Sequence, residues 1–389
     1  MPGRRRPLIV AAPDSFKGSC SAAIAAQAML EGARSVFGDD ADYLALPLAD
    51  GGEGTLDAML AAWGQEPRQV QTTDALGRPR RARYGLSRDR GTAIIEAAEA
   101  NGLPWVADQP LQPLDADTAG VGTIALAALA DGADALLLCI GGSATSDGGV
   151  GLLTALGARF LDAQGAQVRP GARGLADVVR IDVDGLDARA RDAGWRIAVD
   201  VDNPLCGPRG AAAVFGPQKG ADAAAIAVID AGLLHLAEVL AQTVGIDPGA
   251  LLRRPGLGGA GGMALAAVAL LGAETVAGSD LVGEAIGVRS AMLGASLVLT
   301  GEGQLDSQSL GGKVVDLVRR EAPTGTPIVV IAGTVRLSAA ECREAGITAA
   351  FSIADGPATL DELVADAPRR IAETAAHGCA LLTAALRER

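Results

Sequence analysis

PLIVAAPDSFKGSCSAAIAAQAMLEGARSVF, residues 7–37, joins a short apolar run to a long alanine-rich stretch through a polar loop. PLIVAAP suits a buried strand and DSFKGS a connection. SAAIAAQAMLEGARSVF has the period of a helix, with Ser19 or Ser21 available as its cap. The same pattern follows at once: YLALPLA reads as a strand, DGGEG as a loop and TLDAMLAAW as a helix. Near the C-terminus ASLVLT, GEGQLDSQS and KVVDLVRREA repeat strand, loop and helix, and PIVVIAG and AAFSI add two strands. Such alternation predicts a parallel sheet with right-handed crossovers. The middle departs from it. RQVQTTDALGRPRRARYGL alternates without helical period, as an antiparallel or mixed sheet would, and GTAIIEAA, ALLLCIGG and WRIAVDVDNPL continue the strands. A chain of 389 residues also exceeds what one hydrophobic core serves. The reading is an α/β protein with a discontinuous parallel-sheet domain over 1–65 and 290–389 and an inserted α/β domain with a mixed sheet over 66–289.

Charge and composition narrow the function. The net charge is −13 and aromatic residues make up 3%. A nucleic-acid backbone would be repelled and few rings are present to stack on bases, so no nucleic-acid partner is expected. An anionic small substrate would be repelled too, unless local cations, backbone amides or a divalent metal reverse the field. No uninterrupted apolar run reaches membrane-spanning length, and MPGRRRPLIVAAPD carries too short an apolar stretch for a signal peptide. Five scattered cysteines without a C-x-x-C pair read as reduced thiols. The expectation is a cytoplasmic protein with no membrane partner; oligomeric state stays open, a homodimer included. The two histidines, His235 and His377, sit in helical stretches, so an enzyme of this sequence takes its proton acceptor from a carboxylate.

Of the thirty-three basic residues only Lys17, Lys219 and Lys313 are lysines, and each touches a glycine, in DSFKGS, GPQKGA and LGGKVV. A compact ammonium beside backbone that a ligand can approach closely points to an anionic, phosphorylated ligand. Gly141 and Gly142, with Ser143, Thr145 and Ser146, form a glycine- and hydroxyl-rich loop between ALLLCI and VGLLTALGARF, a setting for a phosphate or carboxylate at a helix start. Gly256–Gly262 invites the same argument without hydroxyls, and tight packing is its equal alternative. Asp200 and Asp202 end a strand-like run before Pro204. A carboxylate there would accept a hydroxyl proton, hold Mg²⁺, or close an Asx turn. Asp14, Asp50, Glu53, Glu302 and Asp306 stand in the other strand-end loops, as cation ligands or as helix caps. Gly52–Asp57 and Gly301–Asp306 both read G-E-G-x-L-D, each expected between a strand and a helix; if both ends of the chain build one sheet, the two loops share one crevice. Walker and dinucleotide fingerprints are missing: Val314 follows Lys313 where Ser or Thr would be needed.

APDSFKG (12–18), ADGGEGT (49–55), GGSATSDGG (141–149), DVDNPL (200–205), FGPQKGA (215–221) and GEGQLDSQSLGGK (301–313), in this order, resemble the bacterial type I glycerate kinases. The resemblance runs from about residue 7 to the C-terminus, with Ser146 standing where the family often has Asn. It implies a Rossmann-like domain interrupted by a second α/β domain, with an active-site cleft between them. It also implies ATP- and Mg²⁺-dependent phosphorylation of D-glycerate, giving mainly 2-phosphoglycerate, with 3-phosphoglycerate the alternative product. On that reading Asp200 accepts the hydroxyl proton, and Lys17 with Asp14, Ser15, Asp50 and Asn203 holds glycerate or the moving phosphoryl. Gly141, Gly142, Ser143, Thr145, Lys219, Gln308 and Lys313 hold the nucleotide, and Glu53, Glu302 and Asp306 are the candidate Mg²⁺ ligands. Two other classes fit less of the inventory. A non-catalytic sensor of a phosphorylated hydroxy acid needs no base, and a nicotinamide-dependent dehydrogenase lacks both fingerprint and histidine.

Overall fold

The structure is a computed structural model that describes residues 6–387. Its contacts divide into two compact units, one comprising the chain up to Asp50 and from Ser279 onward, the other Gly51–Gly278.

The first unit is built on five parallel strands in the order Ala349–Ser352, Ile328–Val335, Ala295–Leu305, Leu8–Ala11, Asp42–Ala45. Alternation along the strands sorts the side chains to two faces. Ile9, Ala11, Leu297 and Leu299 pack with Met29, Leu30 and Ile371 on one side, whereas Val10, Ala12 and Val298 pack with Val314, Leu317 and Val318 on the other. Burial on both faces is why these strands read as continuous apolar runs. The helices Ala22–Phe37 and Ala367–Arg387 cover the first face, and Ser21 caps the former by accepting from the Ile24 amide at 3.3 Å. Chain direction across the sheet reverses between Leu8–Ala11 and Ala295–Leu305, so the crevice at their carboxyl ends is a topological switch point, where open parallel sheets bind ligands.

The second unit carries a six-stranded mixed sheet in the order Glu274–Val276, Gly194–Ala198, Ala135–Cys139, Thr92–Glu96, Pro79–Leu86, Arg68–Thr73. The first four strands are parallel and the last two form an antiparallel hairpin. One core cluster, including Ile95, Ile124, Leu136, Leu138, Phe160 and Leu233, holds the unit together. Its longest helix, Ala223–Val244, is apolar enough in mean composition to cross a membrane, although polar residues interrupt the run. The helix nevertheless carries Asp230, His235 and Glu238 and buries Ile229, Leu233, Leu236 and Leu240 in that core. His235 bonds the Val178 carbonyl at 2.7 Å, all five cysteines are free thiols, and Cys139 is buried in its strand.

The unit boundaries differ from those expected at 65/66 and 289/290. Helix Thr55–Trp63 goes with the second unit because the Leu56 and Leu60 side chains lie against Gly85 and the Leu56 amide donates to Glu96 Oε1 at 2.7 Å. Helix Gly278–Ile286 leads into the first unit, where Leu317 fills the space beside Gly283. Consequently the two G-E-G-x-L-D segments lie in different units, and Gly301–Leu305 is not a loop at all but the end of a strand paired with Ile331–Val335.

Candidate active site

In the first unit the switch point gathers charge. The Asp14 amide donates to the Gly301 carbonyl at 2.8 Å, so the loop after strand Leu8–Ala11 is tied to the end of strand Ala295–Leu305. Asp14 is buried and its carboxylate accepts the Ser15 amide at 2.6 Å. Burial, reinforced by the nearby Asp50 and Glu302 carboxylates and opposed by the Ser15 amide and Lys17, pushes Asp14 up to about 7. Lys17 is exposed and pairs with the buried Asp50 at 3.8 Å. Glu302 is buried, and its Oε1 has no hydrogen-bond partner. Burial pushes its carboxyl up, while the Ser309 hydroxyl and Lys313 hold it down. Lys313 stands just before helix Val314–Glu321, its turn pinned by the Gly312 amide on Asp316 at 3.2 Å and by the Ser279 hydroxyl on the Gly312 carbonyl at 2.5 Å. Asp14, Ser15, Lys17, Asp50, Glu302 and Lys313 are thus brought to one end of one sheet.

Asp306 and Gln308 have other duties. Asp306 caps the short 3₁₀ helix Ser307–Leu310, accepting the Gln308 amide at 2.9 Å and the Gln304 side chain at 2.7 Å. Those donors hold its carboxyl below the usual range. The cap alternative, open in the sequence, is the one built, and Gln308 stands exposed on that turn.

In the second unit the carboxyl ends of the parallel strands bring together Glu96, Gly141 and Asp200. Asp200 is exposed and its Oδ1 accepts the Gly278 amide at 2.8 Å. Asp202 turns instead toward Arg209, 3.4 Å away. Asn203 is spent on the turn: its side chain donates to the Arg209 carbonyl at 2.7 Å, and its own carbonyl accepts Gly256 and Gly258. Glu53 is exposed on the loop before helix Thr55–Trp63, in a different unit from Glu302 and Asp306.

The 141–149 loop departs most from expectation. Only Gly141 and Gly142 are exposed; Ser143, Thr145 and Ser146 are buried. The Thr145 hydroxyl accepts the Asn101 amide at 3.0 Å. Asp147 accepts the Gly149 and Gly151 amides and both the amide and hydroxyl of Thr118, at 2.8–3.1 Å, so the start of helix Val150–Ala155 is already capped from within. Lys219 is buried too, donating to the Thr145 carbonyl at 2.6 Å and lying 3.4 Å from the Ser143 hydroxyl. Burial pulls its ammonium down to about 7, against the pull of Asp147. Ser143, Thr145 and Lys219 therefore build the loop from inside, and its outward face is the backbone of Gly141 and Gly142. The Gly256–Gly262 segment resolves to packing: a methyl on Gly261, whose φ is +71°, would stand 2.1 Å from the Thr145 carbonyl.

Glu96, Asn101 and Asp147 escaped the reading of the sequence. Glu96 closes the apolar run TAIIE, a strand-end carboxylate of the kind singled out elsewhere, and burial pushes it up to about 7. Asp147 lies inside a quoted motif but looked like one polar residue among several.

One unit with a five-stranded doubly wound sheet and lysines and carboxylates at its switch point, and another with a mixed sheet and a buried-lysine loop, define an α/β protein. The chain belongs to the glycerate kinase family, whose model matches residues 9–383. It is 42% identical over 378 residues to glycerate 2-kinase of Escherichia coli (strain K12), covering 95% of this chain and 98% of that protein. To the glycerate kinase of Bacillus subtilis (strain 168) it is 42% identical over 368 residues, covering 94% and 95%. A crystal structure from Salmonella typhimurium LT2, provisionally named glycerate kinase 2, superposes with a TM-score of 0.86 at 40% identity, covering 98% of this chain and all of that one.

Proposed function

We propose that this protein transfers the γ-phosphoryl group of ATP to a hydroxyl of D-glycerate, giving 2-phosphoglycerate and ADP, with Mg²⁺ as the accompanying cation. The observation that carries the reading is the cluster of Asp14, Lys17, Asp50, Glu302 and Lys313 at a switch point, in a chain 42% identical to a glycerate 2-kinase. Phosphoryl transfer asks a protein mainly to position its reactants and neutralise their charge. In the reaction a glycerate oxygen bonds to phosphorus, the bond from the γ-phosphorus to the bridging oxygen breaks, and the hydroxyl proton passes to a carboxylate.

Asp200 is the proposed acceptor of that proton, its carboxylate oriented by the Gly278 amide. Lys17 holds the moving phosphoryl or the glycerate carboxylate, with the Ser15 hydroxyl beside it; Lys313 and the Gly141 and Gly142 amides hold nucleotide phosphates. Glu302 fits a hard cation, since its Oε1 is buried without a partner. Among the described residues no three His, Cys, Asp or Glu side chains are grouped to hold a metal. Mg²⁺ takes one or two carboxylates and completes its shell with phosphates and water. When bound, the cation supplies charge neutralisation on the phosphates. Asp306, engaged as a cap, drops out of that role.

One observation supports a second reading of the base: Asp14 is held near 7, where a carboxyl can both take and release a proton at neutral pH. The paired variants Asp200→Asn and Asp14→Asn separate the two, the true base costing at least about a hundredfold in kcat. The overall test is incubation with ATP, Mg²⁺ and D-glycerate, with phosphorus NMR of the product. Glycerate-dependent ADP and 2-phosphoglycerate are expected. No glycerate-dependent ADP would sink the reading, and 3-phosphoglycerate would keep the kinase but change the hydroxyl.

A further inference from the structure

Arg80 stands apart from the other arginines around it in the second unit. Its guanidinium lies over the Trp105 ring, 3.7 Å from the centroid, and its Nε is buried without a hydrogen-bond partner. Two carboxylates are near enough to act on its charge, Glu99 and Asp74, but both are taken. Glu99 accepts the backbone amide, Nε and Nη2 of Arg83 at 2.8–3.0 Å. Asp74 accepts the Leu76 amide and the backbone amide and Nε of Arg78 at 2.5–3.0 Å. A half-buried cation held by an aromatic face alone, in a chain of net charge −13, has had its desolvation cost met by no acid of its own.

Its place in the fold matters as much. Strand Pro79–Leu86 runs antiparallel to Thr92–Glu96, with Gly85 opposite Ile94, so Arg80 falls beyond the carboxyl end of that parallel strand. Trp105 donates its indole N–H to the Ala98 carbonyl at 2.7 Å, and Ala98 borders the space above Gly142. The Leu103 amide donates to the Gly142 carbonyl at 3.0 Å. The stacked guanidinium and the exposed Gly141–Gly142 turn therefore share one rim.

We propose that Arg80, held flat on Trp105, is an oxyanion subsite at the carboxyl-end rim of the second unit, binding a phosphate or carboxylate group of one of the reactants. Arginine's planar fork suits either oxyanion bidentately, and with Nε buried it is the pair of terminal Nη groups that would do so. The inference rests on the kinase reading for the identity of the reactants, not for the existence of the subsite.

Trp105 is about half exposed and serves as the reporter. Tryptophan fluorescence of the whole protein is titrated separately with ATP, with ADP and with D-glycerate, no turnover being required. A saturable change is expected in the wild type and is lost in Trp105→Phe. A response to both nucleotides assigns the subsite to phosphate; a response to glycerate alone assigns it to carboxylate. Arg80→Gln should weaken that binding at least about tenfold and raise KM for the same reactant more than it lowers kcat, with Arg80→Lys intermediate. Unchanged thermal midpoints in both variants would show that the fold is intact, and should Arg80→Gln not fold, Arg80→Lys and Trp105→Phe decide. Wild-type affinity for every ligand in a folded Arg80 variant overturns the proposal, as does silence of Trp105 toward all three. Absence of glycerate-dependent ADP together with an Arg80-dependent fluorescence change would instead sink the kinase reading and leave the subsite standing.

Discussion

Lys17 and Lys219 are both lysines beside a glycine, and the fold puts them to opposite uses. Lys17 stands in the first unit with its side chain 68% exposed, loosely paired with Asp50, among carboxylates that crowd one another. Lys219 stands in the second unit 2% exposed, with the Thr145 carbonyl 2.6 Å from its nitrogen and, among the described residues, no ion pair. One region holds an ammonium exposed among buried carboxylates; the other spends its polar groups on itself to fix the backbone of a turn. A lysine chosen over arginine can signal either a ligand or a space that a guanidinium would not fit.

The largest effect expected from this contrast is on activity at Lys17. Lys17→Met should lower kcat by about a hundredfold or more while leaving the thermal midpoint nearly unchanged, since exposed substitutions usually move stability by less than about 0.5 kcal/mol. Lys17→Arg sharpens the point, because it keeps the charge but not the compact ammonium. Full turnover in that variant would remove any special need for lysine there. Next comes Lys219→Met, expected to cost about 2 kcal/mol in denaturant unfolding by leaving the Thr145 carbonyl without its donor. If Lys219 touched phosphate directly, the variant would lose nucleotide affinity with no loss of stability, and the contrast would collapse.

Asp14 and Lys219 should also contribute opposite pH slopes of stability, each of about 1–2 kcal/mol over its window once relaxation is allowed for. Asp14 is raised by folding from 3.8 to about 7, so the unfolded chain gives up the proton first and stability declines as pH climbs through that interval. Lys219 is lowered from 10.5 to about 7, so the unfolded chain takes up the proton first and stability declines as pH falls through that interval. Urea midpoints across both windows in metal-free buffer check this. Asp14→Asn should lessen the slope of the acidic limb alone, a slope that the raised Glu96 and Asp117 carboxyls share, and Lys219→Met should flatten the alkaline limb alone. A variant that changes both limbs, or neither, would break the assignment.

What the sequence could show follows from the same physics. Strand periodicity, the Ser21 cap and the hairpin of residues 68–86 are local properties, and the apolar runs around Leu8–Ala11 and Ile328–Val335 announce burial on both faces. The strand-end carboxylates and lysines of the first unit were legible because charge beside glycine at the end of an apolar run has few structural uses. The boundary at residue 50 was not, because helix Thr55–Trp63 chooses its unit through Leu56, Leu60 and the distant Glu96. Nor was the inward turn of Ser143 and Thr145: their hydroxyls find Lys219 and Asn101 across long stretches of chain, and no local pattern records that. Arg80 is one of several arginines in its strand, and only the distant engagements of Glu99 and Asp74 with Arg83 and Arg78 set it apart.

The smallest effect concerns Asp306, where a cap and a metal ligand make different demands on one carboxylate. As built, Asp306 receives the Gln308 amide and the Gln304 side chain, and its own amide donates to the Ser309 hydroxyl at 3.0 Å, a reciprocal box that fixes the turn between Glu302 and Lys313. Asp306→Ala should therefore cost about 1 kcal/mol, read as a small drop in urea midpoint, and leave the Mg²⁺ concentration for half-maximal rate where it was. Asp306→Asn should recover most of the loss, since an amide oxygen still accepts the Gln308 N–H. If the alanine variant instead demanded tenfold more Mg²⁺ with its stability intact, the carboxylate would be reaching the cation in the working enzyme. The first unit would then carry two metal-facing acids where the proposal names Glu302 alone.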